Sequence, residues 1–134
     1  MAWAYTNCII SCALRFLYNN ISMKTHYLNL QDSPYKAIKK GRKTIEMRLY
    51  DEKRSTIEVG DIIIFDNKNT SETLKCEVIE LLRYKDFVEL YSHHSNEELG
   101  YERDCTPDPN DMSQYYSKDK IDKYGVLGIR IRLI

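Results

Sequence analysis

The sequence predicts an α+β domain in which strands are mixed with short helices. Three observations carry this. Thr44 to Tyr50 alternates, with Ile45, Met47 and Leu49 on one face and Thr44, Glu46, Arg48 and Tyr50 on the other, which is the period of a half-buried strand. Asp32-Ser33-Pro34 and Gly41 punctuate a helix between them. Val126 to Ile134 alternates again, placing Leu127, Ile129, Ile131 and Leu133 toward a core and Arg130 and Arg132 away from it.

Residues 1–22 are apolar, with Ala2, Trp3, Ala4, Cys8, Ile9, Ile10, Ala13, Leu14, Phe16 and Leu17. They lack a basic start and a small-residue cleavage site, so they make a poor signal peptide. The run before Arg15 is shorter than the about 20 residues that a spanning helix needs. Met23-Lys24 reads as the start of the domain. Residues 1–22 are therefore expected to be an N-terminal apolar extension from a misassigned start, and 23–134 the domain; an added helix that packs on the domain is the alternative.

Thr25 to Leu30 reads as a strand. In the helix that follows, Ser33 is expected to cap and Pro34 to take the first helical position. Tyr35 and Ile38 share a face, Lys39 and Lys40 suit the negative C-terminal end, and Gly41 supplies a left-handed stop. Arg42 and Lys43 then arrive at a sharp corner. Asp51 to Ser55 is a charged turn. Val59-Gly60-Asp61 leads into Ile62-Ile63-Ile64-Phe65, an apolar run expected to be a strand buried on both faces. Asp66 to Thr73 is a polar hairpin loop. Leu74 to Tyr84 is one long strand or two, with Leu74, Cys76 and Val78 on one face. Asp86 to Tyr91 is a short helix showing Phe87, Leu90 and Tyr91. Ser92 to Met112 is irregular and acidic, and loops of that length are often functional or mobile. Ser113 to Ser117 and Lys118 to Tyr124 read as two helical pieces, the second ended by Gly125.

The 134 residues suffice for one core, and 30% charged with 43% hydrophobic residues is a globular balance. Twenty basic and 20 acidic residues cancel, so no global field demands a polyanion. The charge is uneven. Lys36 to Arg54 holds eight basic and three acidic residues, whereas Arg83 to Asp122 holds five and ten. A local positive site on a neutral body suits a small anionic ligand or a short nucleic-acid segment, not a duplex that needs many phosphate contacts. Cys8, Cys12, Cys76 and Cys105 make no zinc pattern and read as scattered reduced thiols of a cytoplasmic protein. His26, His93 and His94 offer no ligand spacing, so no metal is expected.

The motif strand carries the chemistry. Glu46 and Arg48 lie about 7 Å apart along one face, at ~3.3 Å per residue. Lys43 has the opposite parity and joins them only from the turn before the strand. Met47 has no β preference, so packing must hold it. A solvated Glu–Arg pair on an exposed strand is the plain alternative, and it contributes little. Gly41, Lys43, Glu46 and Arg48 match G-x-K-x-x-E-x-R. With the helix before it and Val59-Gly60-Asp61 plus an apolar strand after it, the chain from about Thr25 to its end resembles ASCH domains of the PUA-like superfamily. Met112-x-x-Tyr115-Tyr116-Ser117 followed by Tyr124-Gly125-Val126 resembles a subset of bacterial ASCH proteins.

The resemblance implies a PUA-like small open β-barrel of mostly antiparallel strands with flanking short helices. It also implies a cleft beside the barrel that receives RNA or a modified nucleoside, with no cofactor and no membrane. The ligand-binding residues expected are Arg42, Lys43, Glu46, Arg48 and Tyr50. Arg48 offers a planar fork, Lys43 a compact charge, and Glu46 an acceptor for an exocyclic amine. Tyr50, Tyr91, Tyr115 or Tyr116 could stack on a base, though core packing is the commoner use of each. The alternative is a hydrolase. Around Gly41 to Ile45 the chain resembles small ASCH amidohydrolases acting on N4-acetylcytidine. Lys43 matches their lysine, Glu46 stands where they have a threonine, Thr44 lies one face round, and Glu97 or Glu98 would be the distal carboxylate. Lys43, Glu46 and Glu97 are then the catalytic candidates, and metal-free cleavage of RNA is a variant of the same idea. A third reading, a protein-interaction module, rests on residues 1–22 alone.

Overall fold

The computed structural model describes residues 23–134, so the expected N-terminal extension lies outside the described residues. Strands β1 (Thr25–Leu30), β2 (Ile45–Leu49), β3 (Ile62–Asn67), β4 (Thr73–Tyr84) and β5 (Val126–Leu133) form one sheet in the order β1-β3-β4-β5-β2. The β1–β3 pair is parallel and the other three are antiparallel. The sheet curls into a half-barrel flanked by short helices α1 (Asp32–Lys39), α2 (Phe87–Ser92) and α3 (Lys118–Tyr124). It is the mostly antiparallel, open form that the resemblance implies. Among the described residues β1 and β2 are its two free edges. Among the described residues no helix is long and apolar enough to cross a membrane.

Two apolar clusters pack the two faces of the sheet. The inner one joins Leu28, Ile63, Phe65, Cys76, Val78, Leu127, Ile129 and Ile131 to Tyr35 and Ile38 of α1. The outer one joins Ile45, Met47, Leu49 and Val126 to Phe87 and Leu90 of α2, with Leu99 and Met112 from the long loop. Covering on both sides explains the burial of Val126 beside Leu127, whereas in β3 only Ile63 and Phe65 join a cluster, the inner one, and Ile64, expected to be buried, is half-buried. Burial also pushes the Cys76 thiol up to about 11, so it is an inert core group.

The structure departs from the sequence reading, or decides between its alternatives, at five places. The N-cap of α1 is Gln31 and no side chain caps it, so Ser33 and Pro34 lie inside the first turn, where a missing N–H is harmless. Asp32 instead ties the helix start to the sheet, accepting from Asn67 at 2.9 Å and pairing with Lys36 at 2.8 Å. β2 is buried on both faces, not half-buried. β4 is one strand, with a bulge between Val78 and Glu80 that lets it bend round the barrel. The helical piece expected at Ser113 to Ser117 is a 3-10 turn at Pro109–Gln114, with Asp108 capping the Asn110 N–H. Leu133 is 44% exposed because β5 outruns the core there.

Asp61, read as a turn residue, is buried and functions as a staple. It accepts from the Lys24 and Glu58 N–H groups at 3.0 and 2.9 Å and pairs with His26 Nε2 at 2.8 Å. Burial would raise its pKa, but these hydrogen bonds outweigh it and hold the carboxyl low.

Gly41 has φ +78°, and a Cβ added there would meet nothing within 4 Å. Gly41→Ala is therefore expected to cost only the left-handed penalty, about 1 kcal/mol, with Gly41→Asn recovering part of it. Urea midpoints at unchanged slope check this.

Candidate functional site

Main-chain hydrogen bonds fix the approach to the motif strand. The Gly41 N–H donates to the Ile38 carbonyl at 2.9 Å, and the Arg42 N–H to that of Ala37 at 3.0 Å, which is a Schellman stop. The Lys43 N–H reaches the same Ala37 carbonyl at 3.1 Å. The Thr44 and Ile45 N–H groups then donate to the Glu98 carbonyl at 3.0 and 2.9 Å. Lys43 is thus delivered from the turn before β2, as its parity required. Its Nζ lies 3.3 Å from Glu46 Oε1 and 3.3 Å from the Leu99 carbonyl.

Facing residues of an antiparallel pair share a side of the sheet. Glu46 faces Ile129 and Arg48 faces Leu127, both in the inner core. The polar side of β2 therefore looks into the half-barrel at its open seam. Glu46 Oε1 accepts the Met47 N–H at 2.9 Å, while Oε2 accepts Arg48 Nε at 3.2 Å and Nη2 at 2.8 Å. The same Nη2 donates to the Asn29 carbonyl at 2.6 Å. The Lys24 and Leu30 carbonyls bond inward, to the Ile62 and Lys68 N–H groups. By alternation the Asn29 carbonyl points outward from β1. Arg48 thus spans the two free edges of the sheet.

Lys43, Glu46 and Arg48 side chains are 5, 6 and 13% exposed. Burial alone would raise the Glu46 pKa. The Lys43 ammonium, the Arg48 guanidinium and the hydrogen bonds from Arg48 and the Met47 N–H outweigh it and hold Glu46 at about 2. The Tyr116 hydroxyl sits against Arg48, and its ring stacks on Phe87 with centroids 5.9 Å apart.

The long loop forms the wall of this site. Gly100, at φ +94°, lies flat on the Lys43 stem, and a Cβ there would come within 2.9 Å of Lys43 Cδ. Leu99 anchors the loop in the outer core. The other expected residues are placed as follows. Arg42 pairs with Glu102 on the loop, and its buried Nε has no partner among the described residues. Tyr50 packs on the inner core with the Arg83 guanidinium 3.6 Å over its ring, so one face is taken. Glu97 pairs with Arg103 at 3.7 Å and Glu98 with His94 and Arg130 at 3.3 and 3.6 Å; their carboxylates are thus engaged away from Lys43. Tyr91 is hydroxyl-bonded to Tyr101 at 2.6 Å, and Tyr115 is exposed. Among the described residues no three histidine, cysteine or carboxylate groups gather as a metal site. The sequence reading missed the carbonyls of Asn29, Glu98 and Leu99, which leave no side-chain signal; Gly100 was the one visible mark.

The family model of the ASCH domain matches residues 28–134. Among solved structures, the chain is similar to the crystal structure of the hypothetical protein PH0355, at 34% identity and a TM-score of 0.70, over 84% of this chain and 100% of that one. It is similar to the solution structure of protein PF0455 from Pyrococcus furiosus, at 30% identity and a TM-score of 0.61, over 82% and 97%. A mutant ZmASCH from Zymomonas mobilis shares the fold, at 15% identity and a TM-score of 0.56, over 81% and 67%. No curated protein matches the chain.

Two outcomes are expected. The folded Glu46 pKa of about 2 lies below its ordinary 4.5, so its contribution is full above 4.5 and is lost as pH falls through about 2. Glu46→Gln should remove that acid dependence and cost roughly 3–5 kcal/mol at pH 7, because it leaves two buried cations uncompensated. Urea unfolding of both proteins at several pH values tests this. Gly100→Ala should cost more than Gly41→Ala, and part of the excess should vanish in a Lys43→Ala background, where the clashing stem is gone. A double-mutant cycle reads the coupling.

Proposed function

Because the chain belongs to the ASCH-domain family, we propose that it binds RNA or a modified nucleoside at the open seam of the half-barrel, through Lys43 and Arg48 held by Glu46. One observation carries this reading. Two cations share a single carboxylate in a nearly dry site, which leaves one buried positive charge in excess. Such an excess is costly unless an anion meets it. The rest of the protein is neutral overall, with 20 basic and 20 acidic residues, so the attraction is local and the number of phosphates engaged is small.

Hydrolysis of an acylated nucleoside or of RNA is the finer alternative, in which Lys43 would be the reacting amine. The engagement of Glu97 and Glu98 elsewhere weighs against that particular acid partner. The experiment is titration calorimetry of the full chain with a short single-stranded RNA and with N4-acetylcytidine, with chromatography of the same mixtures. Binding with a shallow salt slope, equivalent to about one or two phosphates, is expected, and Lys43→Ala should weaken it about tenfold or more. Product that forms with wild type and vanishes in Lys43→Ala would make the protein a hydrolase. Absence of binding to either ligand would overturn the proposal.

A further inference from the structure

The seam cluster has donors to spare, and its one carboxylate is engaged by both cations. A carboxylate offers about four lone-pair positions. Glu46 accepts three hydrogen bonds, from the Met47 N–H at 2.9 Å and from Arg48 Nε and Nη2 at 3.2 and 2.8 Å, and pairs with Lys43 Nζ at 3.3 Å, so both of its oxygens are engaged. The nearby carbonyls are engaged too, Leu99 by Lys43 and Asn29 by Arg48. Lys43 has three N–H groups and donates one hydrogen bond, to the Leu99 carbonyl, while its ammonium pairs with Glu46. Arg48 has five and uses Nε and the Nη2 pair on Glu46 and Asn29, which leaves its Nη1 donors without a protein acceptor among the described residues. Arg54 stands close enough to act on Tyr116, and its buried Nε has no partner among the described residues. The uncompensated charge of the Lys43–Glu46–Arg48 cluster is therefore positive, one carboxylate standing against two cations.

A base edge read by Glu46 would have to displace Lys43 or Arg48 from it. A neutral carbonyl would take a donor and leave the charge. An oxyanion satisfies both conditions, and a phosphate presents several acceptor oxygens to a fork and a point charge together. Resting on the RNA or nucleoside reading above, we infer that the group entering the seam is a phosphate of a nucleotide or RNA strand, that the base stays outside the Lys43–Glu46–Arg48 cluster, and that Glu46 is a positioning residue with no ligand contact.

Calorimetric titration of the full chain at low ionic strength with cytidine, cytidine 5′-monophosphate, ribose 5-phosphate and inorganic phosphate tests this. The nucleotide and the sugar phosphate should bind within a few fold of each other. Cytidine should bind at least about tenfold more weakly, the weight of one charge-assisted hydrogen bond. Arg48→Lys, which keeps the charge and loses the fork, should weaken the phosphate ligands while leaving cytidine unchanged; if that variant does not fold, the wild-type series decides. Cytidine binding as tightly as its monophosphate would overturn the inference and leave the nucleoside reading standing. Binding of inorganic phosphate without any nucleotide or sugar phosphate would uphold the anion site and count against the RNA reading. No binding of any of the four would overturn the inference outright.

Discussion

A curled sheet that does not close leaves two strand edges with unpaired main-chain groups, and Glu46 is the group around which this protein resolves that. Its carboxylate turns back on its own strand to take the Met47 N–H, which points away from β5. With its other oxygen it holds Arg48, which crosses to the outward carbonyl of β1. One carboxylate thus covers one edge and tethers the other. Its burial would be prohibitive for a lone ion; it is tolerated because two cations and a main-chain N–H surround it. Removing the carboxylate strands two buried cations, whereas removing either cation leaves Glu46 paired with the other, so the cluster depends on Glu46 above all.

The long loop from Ser92 to Met112 is the second half of this arrangement. It carries no regular element before Pro109, yet it is bound at many points. Leu99 is buried in the outer core, the Glu98 carbonyl receives the start of β2, and Asn96 Nδ2 donates to the Arg103 and Cys105 carbonyls. His94 bridges the Tyr84 hydroxyl at 2.8 Å and Glu98 at 3.3 Å, which fixes the loop to β4. The loop is an ordered wall set by backbone contacts. It delivers a carbonyl to Lys43 and a glycine flat against the lysine stem.

These features give the functional reading its physical form. The site is built for rigidity and charge rather than for reach. Its cations are held by neighbours that cannot leave without cost, so under the proposed function a ligand would meet preset donors and pay little ordering entropy. The aromatic side chains around it serve mainly as support: Tyr116 stacks on Phe87, Tyr91 and Tyr101 bond each other, and Tyr50 lies under Arg83.

The sequence by itself determined the elements and the motif. Alternation placed β2 and β5, Gly41 stopped α1, and the parity of Lys43 required the turn position that it has. These are local signals: side-chain period, a left-handed φ and the reach of a few residues. It misjudged what the polar side of β2 faces. Alternation separates two faces but cannot say what covers them, so a strand read as half-buried proved covered on both sides. Only the tertiary structure decided that the Glu46–Arg48 side looks into an open barrel, that Asn29 and Leu99 supply carbonyls from 17 and 53 residues away from Glu46, and that both oxygens of the carboxylate are already engaged. Those contacts are made by main-chain atoms that every residue carries, so no side-chain pattern could announce them.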